Sequence, residues 1–189
     1  MIDVIGLSGY ARTGKDTAAK YLRELGFKRV AFADTLRSAA YALNPIVNVD
    51  PFDIERYFYL QDIIDEYGWD GYKNTEFAGE IRRILQRLGT EVGRNLIGED
   101  VWVAATFENL PSDKYVVTDV RFPNEADYIR ERYDGLIIRI ERPGVGPIND
   151  HPSETALDDY DFDFVVQNDQ SESELRRKLL IAYAERRPE

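Results

Sequence analysis

The sequence contains no cysteine and a single histidine, His151, among its 189 residues. Without cysteine the chain can form no disulfide, no thiolate zinc site and no cysteine nucleophile. One histidine cannot build a metal site from several imidazoles. The chain also lacks any apolar run near the roughly 18 residues that a membrane-spanning helix needs, so we expect no membrane partner.

Lysine is scarce as well: of the 24 basic residues, six are Lys and 18 are Arg. Arginine suits bidentate phosphate binding, although codon bias produces the same skew. The net charge of −11 argues against a broad face for polymeric nucleic acid. The first ten residues predict a strand and no signal peptide, which leads us to expect a cytoplasmic protein.

Strand and helix patterns alternate along both ends of the chain. Short apolar runs predict strands at residues 2–7, 27–33, 115–118, 136–140 and 164–166. Helices are predicted at residues 15–25, from Asp34 or Thr35 to just before Pro45, at 123–133, and from the capping box 171–174 to 184. Strand, crossover helix and strand in this order indicate a parallel sheet. We therefore predict an α/β fold of three layers with a parallel sheet of about five strands.

Residues 44–110 break this alternation. They contain three helix-like stretches, at 52–67, 75–88 and 99–110, and no clear strand. Gly89 is predicted to end the second stretch. Because the segment is short and lacks linkers rich in Pro or Ser, we interpret residues 1–189 as one domain with a helical insert at about 44–110.

The segment Gly9–Thr17 has the G-x-x-x-x-G-K spacing of a phosphate-binding loop (P-loop). It lies between the first predicted strand and the first predicted helix, as such a loop must. Glycines let backbone N–H groups surround phosphate oxygens, while the helix N-terminus and Lys15 add positive charge. The residues expected to bind ATP here are Gly9, Ala11, Arg12, Thr13, Gly14, Lys15, Asp16 and Thr17. The alternative is a glycine turn that opens an ordinary helix.

The residue after the lysine departs from the usual pattern, because Asp16 stands where Ser or Thr is expected. One position on a helix is a rotation of about 100°, so Thr17 cannot simply replace the missing hydroxyl. We expect Thr17 to contact an α-phosphate oxygen and Asp16 to lie on the Mg²⁺ side, acting through water.

Other features narrow the class of P-loop protein. The sequence has no Asn-Lys-x-Asp motif for reading guanine, and Asp119 is followed by Val-Arg-Phe instead of the x-x-Gly of a GTPase switch. Motor ATPases are usually larger. A small-molecule kinase fits the length, and it is expected to carry a mobile arginine-bearing insert that closes over the phosphates.

Several segments of the chain carry a family resemblance, and they are LSGYARTGKDT (7–17), AFADTLR (31–37), IRRILQRLGTE (81–91), DVW (100–102), YVVTDVRFPNEA (115–126), IRIERPG (138–144), DHPSE (150–154) and QNDQSESEL (167–175). These segments resemble the phage deoxynucleoside monophosphate kinases of the P-loop kinase superfamily. They cover nearly the whole chain except about residues 44–74. The resemblance implies a parallel sheet with the P-loop strand at its centre. It also implies reversible phosphate transfer from ATP to a deoxynucleoside monophosphate (dNMP).

The charge of these reactants indicates the catalytic residues. The acceptor is a phosphate monoester with its second pKa at about 6, so it needs no general base. The obstacle is the alignment of two anionic groups, which cations and Mg²⁺ remove. We expect Lys15 to bind the β- and γ-phosphates, Arg121 to reach the transferring phosphate, and Asp119 to orient Mg²⁺ or its waters. The alternative for Asp119 is a solvated residue in a turn.

By resemblance, the dNMP side comprises Asp34, Arg37, Arg83, Gln86, Gly89, Thr90 and Trp102. In this assignment Arg83 binds the acceptor phosphate and Trp102 packs near the base. Each assignment has an alternative. Arg83 fits a solvated helix face with Glu80 as its partner, Trp102 fits the core, and Asp34 fits a helix cap.

Also by resemblance, Arg142 and Asn168 hold the adenine of ATP. The alternative for both is the turn chemistry that Asn and Pro-Gly sequences supply without a ligand. His151 lies in the similar DHPSE segment and receives no role.

The sequence thus predicts an ATP- and Mg²⁺-dependent dNMP kinase in the cytoplasm of an infected cell. The alternatives are a P-loop kinase for another phosphorylated metabolite, such as dephospho-coenzyme A, and a nucleotide-binding regulator without turnover. Arg83, Asp119 and Arg121 favour an enzyme, because a binding protein has no use for a transition-state clamp. The run Tyr57–Leu60 contains three aromatic residues and fits a core, a pocket or a subunit interface. A homodimer is therefore one alternative that the sequence leaves. The sequence does not assign the accepted bases.

Overall fold

The computed structural model describes residues 3–49, 56–108, 110–147 and 152–185. In chain order its strands are β1 (Asp3–Ser8), β2 (Lys28–Val30), β3 (Ile46–Val49), β4 (Tyr57–Tyr59), β5 (Lys114–Val117), β6 (Leu136–Glu141) and β7 (Phe164–Gln167). Its α-helices are α1 (Lys15–Glu24), α2 (Phe32–Leu43), α3 (Leu60–Gly71), α4 (Ala78–Gln86), α5 (Val101–Phe107), α6 (Pro123–Tyr133), α7 (Pro152–Thr155) and α8 (Glu172–Glu185). A 3₁₀ turn spans Tyr72–Asn74, and a π-helical segment, Arg87–Ile97, continues α4.

Five strands form one parallel sheet in the order β2-β5-β1-β6-β7, with β1 at its centre. Each of these strands overlaps one of the five that the sequence predicts. The predicted α/β class, the five-stranded parallel sheet and the central position of the P-loop strand are confirmed.

The apolar runs of the strands are explained by helices on both faces of the sheet. On one face, Ile5 and Leu7 of β1 pack in a cluster with Leu22 of α1 and Leu179 of α8. On the other face lies α6, so close to β1 that a Cβ added at Gly6 would come within 3.1 Å of an Ile129 methyl. Helix, sheet and helix make the three predicted layers.

The elements group into two compact units. The sheet unit comprises Met1–Phe32 and Thr106–Glu189, and the helical unit comprises Ala33–Ala105. A single domain with a helical insert at about 44–110 stays a prediction. Among the described residues, no helix combines the length and apolar character needed to cross a membrane.

The helical unit contains a strand pair that the sequence analysis missed. Strands β3 and β4 pair antiparallel, so the prediction of no strand in this region is wrong. Tyr57 and Tyr59 are exposed, whereas Phe58 packs on Phe77 with ring centroids 5.1 Å apart. Because all three residues of β4 are aromatic, this alternation is invisible to a hydrophobicity pattern. The first part of the helix predicted at 52–67 lies outside the described residues, and the described helix begins at Leu60.

Gly89 does not end a helix as predicted. The chain continues through it in the π-helical segment. Gly89 is buried against Leu36, and the indole N–H of Trp102 donates to its carbonyl oxygen at 2.9 Å. This side-chain donor supplies a partner for a backbone carbonyl where the hydrogen-bond ladder changes from α to π.

The start of α2 also differs from the prediction. The helix begins at Phe32, so neither Asp34 nor Thr35 caps it. Its first N–H, that of Phe32, donates to Asp119 Oδ1 at 2.9 Å. Asp119, just beyond the end of β5, therefore caps the first N–H of α2. The local sequence around α2 cannot reveal this partner.

We predict that Leu179→Ala destabilises the sheet unit. Leu179 is 1% exposed in the cluster between α8 and the sheet, so truncation leaves a cavity. The free energy of unfolding should fall by about 2 to 5 kcal/mol in urea denaturation. The matched control is Leu180→Ala. Leu180 is the next residue on the same helix and is 40% exposed, so its truncation should lower the free energy of unfolding by about 0.5 kcal/mol or less. Equal losses in both variants would contradict the packing described here.

Candidate functional site

The loop between β1 and α1 has backbone geometry that glycine permits. Gly9 and Gly14 have φ values of 131° and 106°, a region that residues with a Cβ rarely adopt. A Cβ at Gly9 would also run into the carbonyl oxygen of Ile140, and one at Gly14 into the side-chain amide of Asn168. Both glycines of the G-x-x-x-x-G-K spacing are therefore required by the shape of the loop.

Lys15 begins α1, and its side chain folds back into this loop. Its Nζ donates hydrogen bonds to the carbonyl oxygens of Gly9 and Tyr10, at 2.5 and 2.6 Å. Burial, followed by the positive charge of Arg121, lowers the pKa of Lys15 to about 8. A partly desolvated cation at the N-terminus of a helix is suited to binding an anion.

Two further side chains brace the loop. Thr13 is 1% exposed, and its hydroxyl donates to the Tyr10 carbonyl oxygen at 2.8 Å. Asn168 follows β7, and its side-chain amide donates to the Thr13 carbonyl oxygen at 2.8 Å. The structure thus brings Asn168, expected to hold adenine, onto the P-loop backbone.

The remaining predicted P-loop residues differ in exposure. Arg12 is exposed and has a positive φ of 68°. Ala11 and Thr17 are half-buried. Asp16 is exposed in the first turn of α1, where a negative charge is favourable beside the helix dipole.

Asp119 lies two residues beyond the end of β5 and is half-buried. Besides its contact with the Phe32 N–H, its negative charge acts on Lys15 and favours the protonated amine, as does the charge of Asp16. The two carboxylates expected on the metal side are therefore both near the Lys15 ammonium group. Partial burial and a backbone contact distinguish Asp119 from a solvated turn residue.

Arg121 is fixed from two directions. Its backbone N–H donates to the buried Glu125 carboxylate at 2.7 Å, and its guanidinium donates to Glu154 Oε1 at 2.6 Å. The Glu154 side chain is 11% exposed, against 45% for Arg121. The structure therefore brings together the three predicted catalytic residues, since the charges of Arg121 and Asp119 both act on Lys15.

Sequence reasoning missed Glu154, Arg139 and Asp158, which surround this site. Arg139 is buried on β6 and donates to Asp158 Oδ1 at 3.0 Å. Arg139 and Glu154 both lie in segments similar to the kinase family, IRIERPG and DHPSE, so that similarity was the available signal. Asp158 lies outside every similar segment, and only the fold reveals its position.

Arg142 lines a cleft beside the P-loop. The residue is exposed after β6, and the cleft of about 310 Å³ is also bounded by Tyr10, Arg139, Glu141 and Gln167. The Gln167 amide donates to Glu141 Oε2 at 2.6 Å. Amide and carboxylate groups at one wall can hydrogen-bond the polar edge of a base.

The predicted dNMP residues lie in the helical unit. Arg83 on α4 forms an ion pair with Glu80, and Arg87 forms one with Glu91 at 3.2 Å. Both arginine side chains are more than half exposed. These are the surface pairs that the sequence analysis named as the alternative for Arg83. A dNMP role for Arg83 stays a prediction.

Four other predicted dNMP residues lie around the π-helical segment. Gly89 is buried and accepts the Trp102 indole N–H, while Gln86 and Thr90 are exposed. Trp102 is half-buried and packs so closely on Gly93 that an added Cβ would lie 2.5 Å from its Nε1. The indole therefore holds this segment in place.

Asp34 and Arg37 lie one turn apart on α2. Arg37 Nη1 lies 3.2 Å from Asp34 Oδ1. The Arg37 guanidinium also lies over the ring of Trp69, with 5.7 Å between its Cζ and the ring centroid. The two residues predicted on the acceptor side thus contact each other and an aromatic face.

Within the described ranges, no group of three or more His, Asp or Glu side chains is arranged to hold a metal ion. His151 lies outside the described residues. A metal ion bound by one or two carboxylates in this part of the chain would take its other ligands from phosphates or water.

Comparison with known proteins identifies relatives of the chain. The model of the family "Deoxynucleotide monophosphate kinase" matches residues 47–179. A deoxynucleotide monophosphate kinase homologue of Acanthamoeba polyphaga mimivirus is 32% identical, and the alignment covers 94% of each chain. The deoxynucleoside-5'-monophosphate kinase of Escherichia phage T5 is 33% identical over 57% of this chain and 46% of its own length. Among solved structures, dephospho-CoA kinase from Campylobacter jejuni has a TM-score of 0.46 and 16% identity, over 98% of this chain and 97% of that protein.

We predict that Lys15 becomes a nucleophile at an unusually low pH. Its pKa of about 8 means that the amine is protonated below that pH and neutral above it. Competitive labelling with acetic anhydride, read by mass spectrometry against the exposed Lys20 on the same helix, should show a midpoint at about pH 8. Arg121→Met removes a neighbouring positive charge and should raise that midpoint. A midpoint near the ordinary 10.5, or no shift in the variant, would contradict the electrostatics.

Proposed function

Because the chain belongs to the deoxynucleotide monophosphate kinase family, we propose that its P-loop binds ATP and that Lys15, Asp119 and Arg121 act on the phosphate passed to a dNMP. The protein is an ATP-dependent nucleotide kinase. The observation that carries the proposed roles is the P-loop at the carboxyl end of the central strand. There Lys15 is partly desolvated, and the charges of Arg121 and Asp119 act on it.

The proposed reaction joins an oxygen of the dNMP phosphate to the γ-phosphorus of ATP. The bond between that phosphorus and the β,γ-bridging oxygen breaks, and ADP leaves with the electron pair. The acceptor oxygen is already deprotonated at neutral pH, so no residue has to remove a proton. The protein's task is to bring two anions into line and to balance their charge.

Lys15 and Arg121 supply that balance in the proposed mechanism. The Lys15 amine exchanges its two carbonyl partners for β- and γ-phosphate oxygens. The Arg121 guanidinium is held by Glu154 through one nitrogen and is proposed to direct an N–H group at the transferring phosphate. Arg121 lies on a backbone that Glu125 anchors, so it is positioned before substrate binds.

We further propose that Mg²⁺ accompanies ATP. Mg²⁺ binds hard oxygen ligands, and it usually takes one or two carboxylates and completes its shell with phosphates and water. Asp16 and Asp119 offer such carboxylates near Lys15, which fits the metal. When bound, Mg²⁺ supplies positive charge to the phosphates.

The adenine of ATP is proposed to enter the cleft beside the P-loop that Arg142 lines. Asn168 then contributes by holding Thr13 and the P-loop in place. The dNMP is proposed to bind the helical unit through Arg83, with Asp34, Arg37 and the segment around Gly89 and Trp102 nearby in that unit. Host cytoplasm is the proposed location, since ATP and dNMPs are available there.

A coupled ADP-release assay tests this function. Mg·ATP is offered with dAMP, dCMP, dGMP or dTMP, with their ribonucleotide counterparts, and with dephospho-coenzyme A. Turnover with one or more dNMPs is expected, and it should disappear in Lys15→Ala because the phosphates lose their main cation. Turnover confined to dephospho-coenzyme A would overturn the acceptor assignment. ATP binding without turnover of any acceptor would favour a regulator.

We predict that Arg121→Ala lowers kcat by about 100-fold or more, because a cation is removed from the transferring phosphate. The matched control is Arg132→Ala on α6, where the arginine is exposed and not part of the proposed site. Steady-state kinetics at saturating ATP and dNMP measures both. Unchanged turnover in Arg121→Ala would disprove its proposed role.

Arg83→Ala should raise the KM for dNMP by about tenfold or more, since a charge-assisted contact with the acceptor phosphate is lost. The KM for ATP should stay within about twofold. Arg87→Ala is the matched control, because Arg87 lies one turn further along and is also paired with a glutamate. If both variants bind dNMP like the parent enzyme, both arginines belong to the solvated face.

A further inference from the structure

Arg139 is a buried arginine that the proposed phosphate chemistry does not use. Its side chain is 8% exposed on β6. Its guanidinium donates to Asp158 Oδ1, Glu141 Oε1 and the Leu157 carbonyl oxygen, each at 3.0 Å. Buried ion pairs add little stability compared with apolar residues of similar size. We therefore explain the presence of Arg139 by the positions of the residues that its guanidinium holds.

Aromatic rings lie against the guanidinium group. The Cζ atom of Arg139 is 5.1 Å from the ring centroid of Tyr10 and 5.4 Å from that of Phe162. The Tyr10 hydroxyl donates to the same Asp158 oxygen at 2.7 Å. Arg139 thus holds Tyr10 directly, through its ring, and indirectly, through Asp158.

Tyr10 is also the P-loop residue on which several loop contacts converge. Its carbonyl oxygen accepts the Lys15 Nζ at 2.6 Å and the Thr13 hydroxyl at 2.8 Å. A loop residue with its ring and hydroxyl both anchored has little freedom to move its carbonyl. The chain of contacts therefore runs from Arg139 through Tyr10 to the Lys15 amine.

We propose that Arg139 is a positioning residue for ATP, which fixes Tyr10 and thereby the P-loop carbonyl that orients Lys15. The inference rests on the proposed function, because it takes ATP to be the ligand of the loop. Arg139 acts without touching the transferring phosphate. Its planar face and its several N–H donors are both needed, so lysine cannot replace it.

The test compares Arg139→Lys with Arg130→Lys. Arg130 is a matched control, since it also pairs with a carboxylate, Asp163, and lies over a tyrosine ring at 5.0 Å, but on α6 and outside the proposed site. Arg139→Lys should raise the KM for ATP by about tenfold and leave the KM for dNMP within about twofold. Arg130→Lys should change neither.

The contrast between the two substrates gives a readout that a merely structural role would not move. The charged groups acting on Lys15 are Arg121, Asp16, Glu154 and Asp119, and all remain in Arg139→Lys. Loss of the Tyr10 anchor should therefore act on ATP alone, so the calorimetric Kd for ATP should rise together with its KM while the KM for dNMP stays. Arg130→Lys should keep both parent values.

A lower melting temperature with an unchanged Kd for ATP, or equal rises in both KM values, would overturn the proposal in favour of a structural role. If Arg139→Lys does not fold, Asp158→Asn weakens the same link at a half-exposed position and should shift the same two quantities in the same direction. Calorimetric ATP affinity needs no acceptor. It therefore tests the role of Arg139 even if the parent enzyme turns over no dNMP. Absence of dNMP turnover would contradict the proposed function and leave the inference about Arg139 testable.

Discussion

The ammonium group of Lys15 lies among backbone carbonyl oxygens of the P-loop, and the rest of the sheet unit supports that arrangement. A cation partly withdrawn from water needs satisfied donors, and Gly9 and Tyr10 supply the acceptors. They can do so because glycines at both ends of the loop adopt a positive φ and because β1 delivers the loop at the centre of the sheet. Burial of Lys15 lowers its pKa because the ammonium group is weakly hydrated. For the same reason, phosphate oxygens are favourable partners that can replace the carbonyl oxygens.

Arg139 in the sheet unit contrasts with Arg83 and Arg87 in the helical unit. Arg139 is buried and held by several partners, which suits a residue that fixes the position of another. Arg83 and Arg87 are exposed and paired with glutamates on the same helical stretch. Exposed pairs of this kind contribute little stability, so a ligand phosphate can replace the carboxylate at low cost. Burial thus distinguishes Arg139, which its partners hold in place, from Arg83, whose contact with a substrate phosphate stays a prediction.

Much of the sheet unit was predictable because its signals are local. Apolar runs gave the five strands, Pro123 marked the start of α6, and the spacing of Gly9, Gly14 and Lys15 predicted the loop that the structure contains. Two predictions that failed depended on partners distant in sequence. The cap of α2 comes from Asp119, and the Trp102 indole sits on Gly89 where a helix end was predicted. Asp158, 148 residues from Tyr10, is likewise invisible until the chain is folded.

The most direct test of the central role of Lys15 is proton uptake on ATP binding. Calorimetry at pH 8.5 in buffers of different ionisation enthalpy measures it without an acceptor. A Lys15 with a pKa of about 8 is mostly neutral at that pH, and phosphate contact should restore its charge. Uptake of roughly three quarters of a proton is expected, and it should vanish in Lys15→Arg, because a guanidinium does not titrate there. Binding of ATP with no proton uptake by the parent protein would contradict a partly desolvated Lys15 that transfers from the loop carbonyls to the phosphates.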